Sequence, residues 1–279
     1  MQPEWPKFLQ GCFLWEGLGY TYAEKPPPEL LSPAALRDKN PWLVLGAVLE
    51  RAKRGDFNSL PLLLQRMRAF DNGVFWNACV ILLGQAGPRT ILRQALSEFD
   101  KEIQANDINI IKRVSFILYE SLSLWTVPVM LDLFQQVAKR DQVIIIPHLF
   151  SEIVEEKQGE IYTASLPDEP YRQLVLNRYS ILAKMFETDQ VAVLYGNLFS
   201  VKSLAERLLK NLAEGKIANV MGERAIFEAS TGVDCSSFYK DRQLQPLAAA
   251  SILEAFLQSG DPEKFQPGVR YFFGHRIPD

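Results

Sequence analysis

Three cysteines in 279 residues, at positions 12, 79 and 235, are too few and too scattered for a disulfide framework. No Cys-x-x-C pair exists, and the two histidines, His148 and His275, give no Cys/His cluster with metal-ligand spacing. No metal or other cofactor is therefore expected. Positive charge is not in surplus: the formal net charge is −3 and the pI about 5.6. A chain without a basic field cannot neutralise a phosphate backbone, so nucleic acid is not the expected partner. Long apolar runs are missing too. WLVLGAVL (42–49) and VIIIP (143–147) are far shorter than a membrane span, which disfavours a membrane partner. The opening MQPEWPKFLQ has no basic segment leading into an apolar one, so no secretory signal is read and a cytoplasmic location is expected. Period-two alternation is absent as well, leaving only YTAS and VDCSSF as short strand candidates.

What the chain has is helical periodicity. Hydrophobic residues at 48% against 23% charged are enough for a sizeable buried core. Residues 1–40 are rich in aromatics and proline, and the PPP run at 26–28 reads as an extended arm. From Pro41 the pattern becomes amphipathic. PWLVLGAVLERAKRG makes a first helix ending by Gly55. NSLPLLLQRMRAFDNG makes a second, with Asn58 or Ser59 as cap and Asn72-Gly73 as stop. GVFWNACVILLGQAGPRTILRQALSEF (73–99) is a helix through Leu83, broken by G-Q-A-G-P, with another starting at Arg89. Residues 108–139 repeat the helix–turn–helix arrangement around SLSLW. Further helices are read in PYRQLVLNRYSILAKMFE, FSVKSLAERLLKNLAEG, IANVMGERAIFEAS and PLAAASILEAFLQSG. The class is all-α, organised as one helical domain over 1–279: an arm (1–40), helical hairpins (41–155), an acidic loop (156–170) and a C-terminal helical part (171–279).

The segments PLLLQRM, TILRQAL and VPVMLDLF recur at a spacing of roughly 30–40 residues, the period of helical-hairpin solenoids. With LLGQAGPRTILRQAL as the best match, residues 41–155 resemble HEAT-type repeats. The resemblance implies an α-solenoid with a concave face suited to protein binding.

Candidate chemistry is sparse. His148 sits in IIIPHLF, where a buried helix histidine is the ordinary reading. Cys235 with His275, or Ser236 and Ser237 as nucleophiles, would need a glycine-lined elbow, and no G-x-S-x-G is present. GQAGPRT lacks the spacing of a phosphate loop and a preceding strand. A glycosylase built on helical repeats would need a basic concave face, which the charge does not support. The chain is not expected to be an enzyme, and no catalytic residues are assigned.

The clearest electrostatic feature is SEIVEEKQGEIYTASLPDEP (151–170). Glu152, Glu155, Glu156, Glu160, Asp168 and Glu169 stand against Lys157 alone, a local charge of −5 within a chain of −3. The remainder thus carries +2. Such a run is often a solvated face; with Tyr162 and Tyr171 beside it, it also suits docking of a basic partner. These eight residues are the candidate partner-binding set.

The C-terminal region, with Thr231-Gly232, Phe238, an alanine-rich helix, Phe265, Gly268 and RYFFGHRIP, is similar to helical immunity proteins of bacterial polymorphic-toxin and contact-dependent inhibition systems. FWNACVILLGQAGP looks like such text too. The resemblance implies a non-enzymatic inhibitor that binds a cognate toxin domain and blocks its active site or substrate access; the acidic run suits a toxin that is basic and nuclease-like. A general helical scaffold or adaptor is the alternative, and an enzyme on a HEAT-like scaffold comes last. The final GVRYFFGHRIPD is expected to be a latch. Burying two of its three rings would contribute roughly 3–6 kcal/mol before ordering costs.

Overall fold

A computed structural model describes residues 5–11, 19–22, 24–137, 146–155, 161, 168–216, 220–241 and 243–279. The protein is mostly helical. Among the described residues are twelve α-helices: α1 (Pro41–Ala52), α2 (Pro61–Ala69), α3 (Gly73–Ala86), α4 (Arg89–Glu98), α5 (Asp100–Gln104), α6 (Ile108–Glu120), α7 (Thr126–Val137), α8 (Ile146–Val154), α9 (Asp168–Met185), α10 (Val201–Ala213), α11 (Val220–Thr231) and α12 (Pro246–Gln258). The described residues also form three two-stranded antiparallel hairpins: β1 (Val193–Leu194) with β2 (Asn197–Leu198), β3 (Tyr239–Lys240) with β4 (Gln243–Leu244), and, after the last helix, β5 (Tyr271–Phe272) with β6 (His275–Arg276).

Local chemistry explains most helix boundaries. Asn40 caps α1 by accepting from the Trp42 N–H, and Pro41 occupies the first helical position, where no donor is needed. Asp107 caps α6 and Ser200 caps α10 in the same way. The Gly87-Pro88 break between α3 and α4 falls within the expected G-Q-A-G-P punctuation. Two boundary expectations change. Asn72 does not stop α2; its side chain accepts from the Phe75 N–H and starts α3. Neither Asn58 nor Ser59 caps α2, whose N-cap is Leu60 without a side-chain bond, because Asn58 turns back to Asp56 and Ser59 is buried. VDCSSF is not a strand either. Ser236–Phe238 form a 3-10 turn leading into β3, while YTAS lies outside the described residues. The PPP run is extended at Pro27, and Pro28 opens a 3-10 turn.

The chain divides into two compact units. The first gathers Met1–Ile91, Ser200–Gln266 and Tyr271–Asp279, so segments from both ends of the sequence share one core. Its helices α1, α2 and α3 pack on each other, α10 packs on α11 and α12, and α11 meets α3. Trp42 stacks on Trp5 and meets Phe75 edge-on at 5.2 Å, while Phe227 of α11 meets Phe256 of α12 at 5.0 Å. The second unit is Leu92–Phe199 with Pro267–Arg270. There α6 packs on α5 and α7, and α9 packs on α7 and α8.

Each unit uses the same closing device. In the β1–β2 turn Tyr195 and Gly196 both have positive φ (+53° and +72°), as do Phe273 and Gly274 in the β5–β6 turn (+50° and +78°). Two successive left-handed residues make the type I′ turn that suits the twist of a two-residue hairpin. The turn amides then point outward together. Tyr195 and Gly196 donate to the carbonyls of Glu152 and Ile153, in the last turn of α8. Phe273 and Gly274 donate to Ala229 and Ser230, in the last turn of α11. Helix carbonyls that would otherwise be orphaned are satisfied at the same two positions in both cases.

The expected latch is a packed tail in this sense. Phe272 has no exposed surface, Ile277 is 1% exposed, and Phe272 stands edge-on to Tyr20 at 5.2 Å. The backbone N–H of Arg89 donates to the Asp279 carboxylate.

Candidate functional site

The acidic run spans the end of α8 and the start of α9. Glu152 lies on the last turn of α8 and accepts from the Tyr119 hydroxyl of α6. Burial first, then the charges of Glu152 and Glu120, hold the Tyr119 phenol well above its ordinary range. Glu155 follows the helix and is buried, and so is Tyr171 on the first turns of α9. Burial, and after it the Glu155 carboxylate, pushes the Tyr171 phenol up. Arg172 next to it pairs with Asp132 of α7 at 2.9 Å. Glu169 is exposed at the α9 N-terminus, where the helix dipole favours a carboxylate. Glu156, Glu160 and Tyr162 lie outside the described residues, as does the side chain of Asp168.

The fold thus divides the candidate set. Glu155 and Tyr171 are buried beside each other, Glu152 is half-buried where it meets Tyr119, and Glu169 faces solvent. Tyr119 could not be assigned from sequence, because it is distant along the chain and no pattern links it to Glu152.

Of the candidate nucleophiles, Cys235 is buried, Ser236 half-buried and Ser237 exposed. Cys79 and Cys235 are both fully buried, and burial pushes both thiols up, so neither is a thiolate at neutral pH. The Cys235 carbonyl accepts from Arg224 Nη1 at 3.3 Å, and the Ser236 N–H donates to Asp234. His275 is exposed and lies against Gly55, in the turn after α1. His148 falls within α8. Among the described residues no group of three or more His, Cys, Asp or Glu side chains could hold a metal ion, and no helix is long and apolar enough to cross a membrane.

A second polar cluster, in the first unit, was not anticipated. On α11, Glu223, Arg224 and Glu228 are 3%, 0% and 2% exposed. Glu223 pairs with Arg207 of α10 at 3.1 Å and accepts from Asn211. Arg224 Nη2 stands 4.0 Å from Glu228 Oε2, and the guanidinium lies 5.6 Å from the Tyr239 ring. Glu228 accepts from the Tyr20 N–H at 2.8 Å and the Thr21 hydroxyl at 3.2 Å, and Thr21 also reaches Asp234. Burial raises the Glu228 carboxyl above its usual range against the opposing pull of Arg224 and these donors. In the sequence Arg224 and Glu228 look like an ordinary surface pair at i,i+4. Only the packing of α10 and the arm over them makes them internal.

No protein-family model, no curated protein and no solved structure matches the chain. The functional reading therefore rests on the residues themselves.

Proposed function

We propose that the chain is an immunity protein of a bacterial polymorphic-toxin or contact-dependent inhibition system. It acts in the cytoplasm by binding a cognate toxin domain one-to-one, without turnover, and its helical hairpins stack as HEAT-like repeats that offer the binding face. The observation that carries this reading is the local charge of −5 over 151–170 in a chain otherwise near neutral. A concentrated negative surface steers a basic, nuclease-like domain and covers its cationic groups.

The placement of the acids sharpens which residues to test. Glu155 is buried, so reversing its charge would probe folding and not binding. Glu169, near the start of α9, is exposed and offers the outward test; Asp168 precedes it in the sequence. The decisive experiment is co-expression with the protein encoded beside this chain, scored for rescue of growth and for a stable equimolar complex. Neither rescue nor complex would refute the assignment. In a complex that forms, Asp168→Lys with Glu169→Lys should slow association roughly tenfold at low salt and much less at high salt.

A further inference from the structure

Four large apolar side chains stand exposed among the described residues: Val74, Ile181, Met185 and Leu247. Val74 and Leu247 occur singly in the first turns of α3 and α12, as scattered surface residues commonly do. Ile181 and Met185 lie one turn apart on α9, and they are 52% and 63% exposed.

These two end a longer row. Glu169, Gln173, Asn177, Ile181 and Met185 follow one another at i,i+4 spacing along α9, and all five are exposed. Rows at this spacing are the ridges with which helices fit the grooves of a neighbouring surface. The rest of the second unit takes other residues of the helix. Tyr171, Val175 and Leu182 are buried, α9 packs on α7 and α8, and Tyr171 meets the Phe150 ring of α8.

The ridge is graded from charged to apolar. Glu169, at its N-terminal end, belongs to the run of charge −5 over 151–170. Ile181 and Met185 lie about 18 and 24 Å further along the helix axis, at 1.5 Å per residue. Between them Gln173 Nε2 donates to Asn177 Oδ1 at 2.9 Å, which leaves the Gln173 carbonyl oxygen and the Asn177 amide hydrogens for an outside group. Interfaces between identical chains are largely apolar, whereas three of these five residues are polar or charged. A cationic partner is drawn by the acidic end and needs only a few buried anchors at the other.

Resting on the immunity reading, we propose that this ridge of α9 is the docking face for the toxin domain. A basic patch on that domain meets Glu169, and an apolar pocket roughly 20 Å away takes Ile181 and Met185. The carboxylate steers association, and the two apolar side chains set how slowly the complex comes apart.

Binding kinetics between the full chain and the partner co-expressed with it test this. Ile181→Lys with Met185→Lys is expected to speed dissociation roughly 100-fold. The melting temperature of the free chain should stay within about 2 °C, because both side chains are exposed. Leu247→Lys on α12 should change binding less than about twofold. Unchanged dissociation in the double variant would overturn the proposal and leave the immunity reading standing. No complex with the parent chain would overturn both. Should the double variant fail to fold, Asn177→Arg decides: binding about tenfold weaker supports the docking face, and parent affinity refutes it. Sedimentation of the chain alone is expected to show a monomer. A dimer that the double variant dissolves would assign the ridge to a second copy and overturn the proposal.

Discussion

Phe272→Ala is the sharpest test of how the first unit is held together. The ring has no exposed surface and packs against Tyr20 at 5.2 Å and Phe273 at 5.1 Å, in a hairpin whose turn amides cap α11. Truncating a buried phenylalanine to alanine costs about 3–5 kcal/mol, the sum of lost transfer energy and a cavity the neighbours only partly fill. At roughly 2–4 °C per kcal/mol for a body of this size, the melting transition of the first unit should fall by roughly 6–20 °C. Arg276→Ala, on the exposed strand of the same hairpin, is the control and should stay within about 0.5 kcal/mol of the parent. Scanning calorimetry on the three proteins decides the matter. A Phe272→Ala transition within about 1 °C of the parent, or an Arg276→Ala loss of equal size, would mean the tail is not anchored through its buried ring.

Other predictions address other contacts. Gly232→Ala forces an alanine into φ +74° with its Cβ 2.9 Å from the Phe273 ring, and should cost roughly 1–3 kcal/mol in chemical denaturation. The phenols of Tyr119 and Tyr171 are raised in the folded chain above their unfolded value, so at high pH the unfolded state loses protons that the fold retains. Stability is accordingly full below about pH 10 and falls above it by about 1.4 kcal/mol per pH unit for each such tyrosine. Tyr119→Phe should reduce that alkaline slope by one such increment, measured as urea midpoints from pH 9 to 11. In a Cys12→Ala variant neither remaining thiol should react with a disulfide reagent at pH 8 until denaturant is added; a rapid native reaction would contradict the burial of Cys79 and Cys235.

The three small hairpins show what pattern reading misses. A two-residue strand is too short to display alternation, and Tyr195-Gly196 and Phe273-Gly274 lack the Asn or Asp that usually marks a type I′ turn. Gly274 was recognisable as a turn point, but the partner carbonyls at the end of α11 were not. The acidic run shows the same limit at the site. Its charge is visible in one dimension, yet whether a carboxylate faces water or a tyrosine depends on elements far away in the chain. Glu155 and Glu169 are alike in the sequence, and one is buried while the other is exposed.

The sequence by itself determined the helical class and nearly all the helix positions, because apolar spacing, prolines and capping side chains act within a few residues. It also determined that the aromatic tail must pack, since large rings gain too much by leaving water. Only the tertiary structure decided that the tail and the arm close one unit together with α1, α3 and α11, and that Arg224 and Glu228 lie inside it. Such pairings depend on which surfaces meet after the chain has turned many times, and contact between residues some 200 positions apart leaves no local period to read.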